Sequence, residues 1–146
     1  MADADRPQGY KRLKIYQVAH SLGVRVHALT MRLPRFELYE EGSQARRSSK
    51  RVSASIVEGY RQRKYRAEFI RYLYRALGSS DETLEHLEYL LETGSADGHS
   101  DVTGYIASYK SLSGQLASFI RGVERFHSTP ESVGRPPTIH NPQSTI

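Results

Sequence analysis

Between Ser43 and Arg66 the chain reads SQARRSSKRVSASIVEGYRQRKYR, and this stretch holds its densest group of chemically active side chains. Arg46, Arg47, Lys50, Arg51, Arg61, Arg63, Lys64 and Arg66 stand against one acid, Glu58, a net +7 where the whole chain carries +5. Guanidinium and ammonium groups at this density attract polyanions, phosphate backbones above all. The bland alternative is the wet side of a helix.

Helical geometry bears on that choice. At about 100° per residue from Ala45, the seam residues Val52, Ile56 and Gly59 lie within about 40° of it, whereas Arg46, Arg47, Lys50, Arg51 and Arg61 fall between roughly 100° and 240°. The basic face is opposite the core, with Glu58 its one local counter-charge. Ala54 and Val57 lie inside the same arc, and apolar residues on an outer face point to contact with another subunit. Arg63, Lys64 and Arg66 carry the charge onward into the next helix. From Asp81 to Asp101 the chain reverses sign, with Asp81, Glu82, Glu85, Glu88, Glu92, Asp97 and Asp101 and no Lys or Arg, a net −7. Such segregation suits self-association as well as anion binding.

Other chemistry lacks its residues. Without cysteine there are no disulfides, thiolate metal sites or cysteine nucleophiles, and a reducing compartment is expected. A di-iron bundle needs Glu-x-x-His twice; here Glu82 and His86 stand at i, i+4 with no second copy, so no metal or cofactor is expected. His20 and His27 are two turns apart, about 10 Å, too far to share one ion. No Gly-rich phosphate loop follows a strand, and no Ser/His/Asp set is marked out, so no catalytic residues are expected. Ser48 and Ser49 point into the seam, which argues against phosphorylation there.

The elements that hold these residues follow from proline and apolar spacing. Prolines occupy positions 7, 34, 130, 136, 137 and 142, leaving 35–129 free for long helices. Ile15, Ala19, Leu22, Val26, Leu29 and Leu33 predict a first helix over Tyr10 to Arg32, ended by Pro34. Ala45, Ser49, Val52, Ile56 and Gly59 or Tyr60 predict a second over Glu37 to Gln62. Ile70, Leu73, Leu77, Ser80, Leu84, Leu87 and Leu91 form a third seam, closed by Gly94 as its C′ residue. Tyr105, Tyr109, Leu112, Leu116, Phe119, Val123 and Phe126 predict a fourth helix over Asp101 to His127. The expected fold is all-α: an antiparallel up-down-up-down four-helix bundle over 10–127, with a flexible N-terminus 1–9 and a disordered Pro-rich tail 128–146. At 38% hydrophobic residues the chain can bury one modest core. No apolar run approaches the roughly 20 residues that span a bilayer and no leader-like segment opens the chain, so a soluble, cytoplasmic protein with no membrane partner is expected. A pI near 9.6 favours polyanionic partners.

Several motifs in order are similar to a known family. YKRLKIYQVAHSL from Tyr10, SQARRSS, IVEGYRQR and AEFIRYLYRALGSSDETLEHL resemble the bacterial four-helix bundle proteins associated with intervening sequences of 23S ribosomal RNA genes, over roughly Tyr10 to Phe126. The family pattern carries over to Ser43, Gln44, Arg46 and Arg47, then Ile56, Glu58 and Gly59, then Glu68, Phe69 and Leu73, and finally Gly78, Ser79 and Glu82. The chain departs from it at Lys50, where the family is usually apolar, at Ser53, Ala54 and Ser55, where it has Pro or Ala then Ser-Asn, and at Arg61, where it has glycine. Lys50, Arg51 and Arg61 make this member more basic. The resemblance implies a ring-shaped homo-oligomer, a pentamer, with no catalytic residues; distant relatives that assist retroelement reverse transcription bind nucleic acid and protein. Two functions therefore stand as expectations: a non-enzymatic bundle whose basic surface binds RNA or DNA, or a scaffold whose basic arc meets an acidic protein surface or the neighbouring subunit.

Overall fold

In the computed structural model, which describes residues 8–99 and 101–126, every regular element is helical. The expected tail and His127 lie outside the described residues, as does most of the expected flexible N-terminus. Four long helices carry the fold: α1 (Lys14–Thr30), α3 (Glu41–Arg61), α4 (Arg66–Glu92) and α5 (Val102–Phe126), with a single turn, α2 (Arg35–Leu38), between the first two. Cross-helix pairs establish their directions. Tyr10 meets Tyr60 whereas His27 meets Lys50; Glu41 meets His86 whereas Ser48 meets Thr83; Tyr74 meets Glu124 whereas Ser80 meets Ser113. As one number rises its partner falls, so sequential helices run antiparallel.

The seams of α1 and α3 are as the spacing predicts, with Ile15, Ala19, Leu22, Val26, Leu29 and Leu33 buried on one, and Ala45, Ser49, Val52, Ile56 and Gly59 on the other. Removal of Leu29 or Ile56 side chains from water contributes about 1.5–3 kcal/mol each. Small residues bring α3 and α4 close: a Cβ on Gly59 would stand 2.9 Å from Tyr72 Cβ. Gly94, at φ +79°, ends α4 as expected, its N–H donating to the Leu91 carbonyl at 3.2 Å.

Four details differ. The α-helix of the first segment starts at Lys14, because Leu13 is extended at ψ 127° after a 3-10 turn over Gly9–Arg12. The second predicted helix is broken, since Glu40 at ψ −104° separates α2 from α3. That corner is stabilised from inside: Arg46 Nη2 donates to the Leu38 carbonyl at 2.7 Å, and Gly42 lies so close under α2 that a Cβ would be 2.6 Å from the Glu37 carbonyl. The α4 seam is also wider than its leucines indicate. It buries Phe69, Leu73, Ala76, Ser80, Thr83, Leu87 and Leu90, leaving Ile70, Leu77 and Leu84 half-buried and Leu91 exposed. The cause is polar pairing in the core, for Thr83 shares a 2.7 Å hydrogen bond with Ser48, and Ser80 one of 2.8 Å with Ser113. Similarly, Phe126 ends α5 in solvent.

Candidate nucleic-acid interface

The tertiary structure divides the eight basic residues of the opening stretch. Arg46 is half-buried against α2 and serves the fold. Arg51 makes a 2.6 Å ion pair with Glu82 of α4, so Glu58 is not the sole local counter-charge on this face. Lys50 Nζ donates to His27 Nδ1 at 3.0 Å across the α1–α3 groove, yet the lysine is exposed. Arg47 and Arg61 are also exposed, with no ion pair among the described residues. Arg63 lies over the Tyr60 ring at 4.1 Å and donates to its carbonyl at 3.0 Å. Lys64 sits 5.7 Å from the Tyr65 ring, and Arg66 bonds the Glu124 carbonyl of α5. Ala54 is exposed and Val57 half-buried, both pointing outward as their angles require.

The antiparallel order then builds something that the single helix does not contain. The C-terminus of α3 and the N-terminus of α4 meet the N-terminus of α1 and the C-terminus of α5. Arg61, Arg63, Lys64 and Arg66 are thereby joined by Lys11, Arg12 and Lys14 from one side, Arg71 and Arg75 from α4, and Arg121 and Arg125 from α5. Among the described residues Glu58, Glu68 and Glu124 oppose these eleven, a net +8 at one end of the bundle. Aromatic rings interleave with them. Arg71 and Arg75 lie 5.4 and 5.1 Å from the Tyr72 ring, and Arg125 lies 5.8 Å from Phe126. Basic groups alternating with rings are the composition of surfaces that bind phosphate and stack bases. Sequence reasoning reached Arg66 at the start of α4 but missed Arg71 and Arg75 and the contributions of α1 and α5, although the predicted topology already implied them.

At the opposite end the acids are partly committed to internal pairs. His86 Nδ1 meets Glu41 Oε2 at 2.6 Å, and Arg32 meets Asp101 at 3.4 Å. The Asp101 carboxyl is held below its usual range by hydrogen bonding to its own backbone first, then by the Tyr105 hydroxyl and the Arg32 charge. No group of three or more His, Asp or Glu among the described residues has an arrangement that could hold a metal ion. No helix among them is long and apolar enough to cross a membrane. Burial pushes the Tyr109 phenol far up, the Ser49 side chain opposing in part, so this core group stays neutral.

The motif residues separate into packing and surface roles. Gly59 and Phe69 are buried, the latter edge-on to Phe119 at 6.1 Å, while Glu68 pairs with Arg71 at 2.6 Å and Glu82 with Arg51. The Ser79 carbonyl accepts from Thr83, whereas Gln44, Glu58 and Gly78 are exposed and Ser43 is half-buried. Against this geometry, the profile of the 23S rRNA-intervening sequence protein family matches residues 11–118. The chain belongs to this family. A solved structure from Bacteroides thetaiotaomicron, a protein of unknown function from the S23 ribosomal protein family, is 25% identical with a TM-score of 0.65. The match covers 73% of this chain and 95% of that one. No curated protein matches.

Proposed function

We propose that this family member is a non-enzymatic, cytoplasmic, homo-oligomeric bundle whose basic end binds RNA or DNA through the phosphate backbone. The observation that carries the reading is the gathering of basic and aromatic side chains from all four long helices at one end, centred on Arg61 and Lys64 of the α3–α4 turn. Phosphate contacts release condensed counterions, so log K falls with log salt by about 0.9 per contact on duplex DNA and about 0.7 on single strands. Self-assembly, a pentamer, belongs to the same reading and would multiply these contacts; Ala54 and Val57 are its candidate contact residues, lying between Lys50 and Arg61 on the outer face.

Fluorescence anisotropy with a labelled RNA hairpin tests the reading. Arg61→Gln with Lys64→Gln should lower affinity at least about tenfold and flatten the salt slope by about 1.4–1.8, nearly equally for unrelated sequences. Light scattering of the same protein should give about five times 16.6 kDa. Unchanged affinity in the double variant defeats the nucleic-acid reading. In the scaffold reading the basic arc instead meets the acids of a neighbouring subunit or another protein, drawing on the segregated negative charge of Asp81 to Asp101; it wins if the variant retains RNA binding but falls apart into monomers.

A further inference from the structure

Away from the basic end, α1 and α3 enclose a groove of about 360 Å³ lined by His20, Gly23, Val24, His27, Lys50 and Ser53. Gly23 at its base is buried against the Ser49 backbone, whereas Val24, His20, His27 and Lys50 are exposed, Val24 by 59%. The groove is at the small end of the range for sites that hold a small ligand, about 300–1,000 Å³. Its lining combines one aliphatic side chain, two flat imidazoles and one cation.

A row of rings connects it to the basic end. Tyr60 and Tyr10 are 6.4 Å apart, Tyr10 and Tyr16 5.0 Å, and Tyr16 is stacked on His20 at 5.5 Å with 27° between planes. Arg63 lies over the first ring of the row. His20 therefore has Tyr16 on one side and contributes to the groove with the rest of its surface. At the far side Lys50 Nζ and His27 Nδ1 are 3.0 Å apart, placing the cation at the rim.

We infer that this groove takes the base of an unpaired nucleotide, stacked on His20 over Val24, with Lys50 on its phosphate. The inference rests on the proposed nucleic-acid reading and names the form of the ligand. The features are complementary to that ligand on three counts. A space of this size admits one base with part of its sugar and phosphate, whereas a duplex keeps its base faces stacked inside and offers none to His20. An aliphatic side chain beside a ring face suits a base, and a rim cation suits its phosphate. The Ser53 hydroxyl, which donates to the Lys50 carbonyl at 3.2 Å, retains lone pairs to accept from a base edge.

The test uses the full chain and three labelled probes: an oligouridylate of about 12 nucleotides, the thymidine deoxyribo-oligomer of that length, and the oligouridylate annealed to oligoadenylate. Either single strand should bind at least about tenfold more tightly than the duplex, because one lost base stack costs about 1–3 kcal/mol. Tighter binding of oligouridylate would assign the groove to RNA; equal binding of both single strands assigns it to the base and phosphate that they share. His20→Leu and Val24→Glu should each remove most of that preference while leaving duplex affinity within about twofold, since neither touches the basic end. Circular dichroism checks that both variants fold. If they bind oligouridylate as the wild type does, while Arg61→Gln with Lys64→Gln loses it, the groove inference falls and the basic-end reading stands. If no probe binds, both fall. A Val24→Glu variant that loses binding only because the assembly dissociates shows that a second copy occupies the groove, which also overturns the inference.

Discussion

At one end of the bundle Arg61 and Lys64 are exposed among tyrosines; at the other, Glu41, Arg46 and Asp101 are engaged with His86, the Leu38 carbonyl and Arg32. Both ends are strongly charged, but their charges do different things. At the acidic end Arg32 meets Asp101 across the α1–α5 junction, and Arg46 holds the α2 corner through the Leu38 carbonyl. Like charges accumulate at the basic end, where Arg63, Arg66 and Arg71 are engaged within the chain, while Lys11, Lys14, Arg61, Lys64, Arg75, Arg121 and Arg125 are exposed. Like charge gathered at one end costs stability through repulsion, a cost that the proposed phosphate ligand would offset. Charge density alone is therefore a poor guide to function. What matters is whether a counter-charge lies within reach in the folded chain.

Glycine substitutions at the two ends give the largest expected contrast. Gly59→Val drives a side chain into Tyr72 Cβ, where two long helices cross and neither can yield, and should cost about 2–3 kcal/mol in denaturant unfolding. Gly42→Val meets the Glu37 carbonyl instead, on a one-turn element that can swing away, and should cost about 1 kcal/mol. Equal losses would mean that α2 is as firmly fixed as α4. Next in size, Arg46→Ala removes a charged donor from the Leu38 carbonyl and should lower stability by about 1–2 kcal/mol. Its RNA affinity should stay within about twofold of the wild type; a tenfold loss would return Arg46 to the binding surface. The smallest effect is expected from Glu82→Gln, which frees Arg51 from an exposed ion pair. Stability should fall by less than about 1 kcal/mol, and RNA affinity should rise slightly at low salt. A fall in affinity would show that Arg51 does not face the ligand.

How far the site was legible can be judged helix by helix. The α1 stripe and the small-residue α3 seam were readable because a period of 3.6 places their apolar residues on one face whatever their neighbours are. Ser80 was placed in the α4 seam and Ser48 facing the core, but their partners Thr83 and Ser113 went unseen. A hydroxyl counts as polar until its partner, 35 or 33 residues away, is known. The break at Glu40 was likewise invisible, since FELYEEG contains no proline and the Arg46 bond that stabilises the corner arrives from eight residues on.

By itself, then, the sequence determined the helices, their amphipathic faces, the family and the segregation of positive from negative charge along the chain. These are local or additive properties, set by spacing, composition and order. Only the tertiary structure decided which charges are neutralised within the chain and which stay available. Arg51 and Arg61 have the same chemistry and lie on the same outer arc of α3; one stands across from Glu82, and the other stands at an end where three further helices bring more cations. Coulomb energy depends on distances in space, and antiparallel packing brings together residues that the chain keeps far apart.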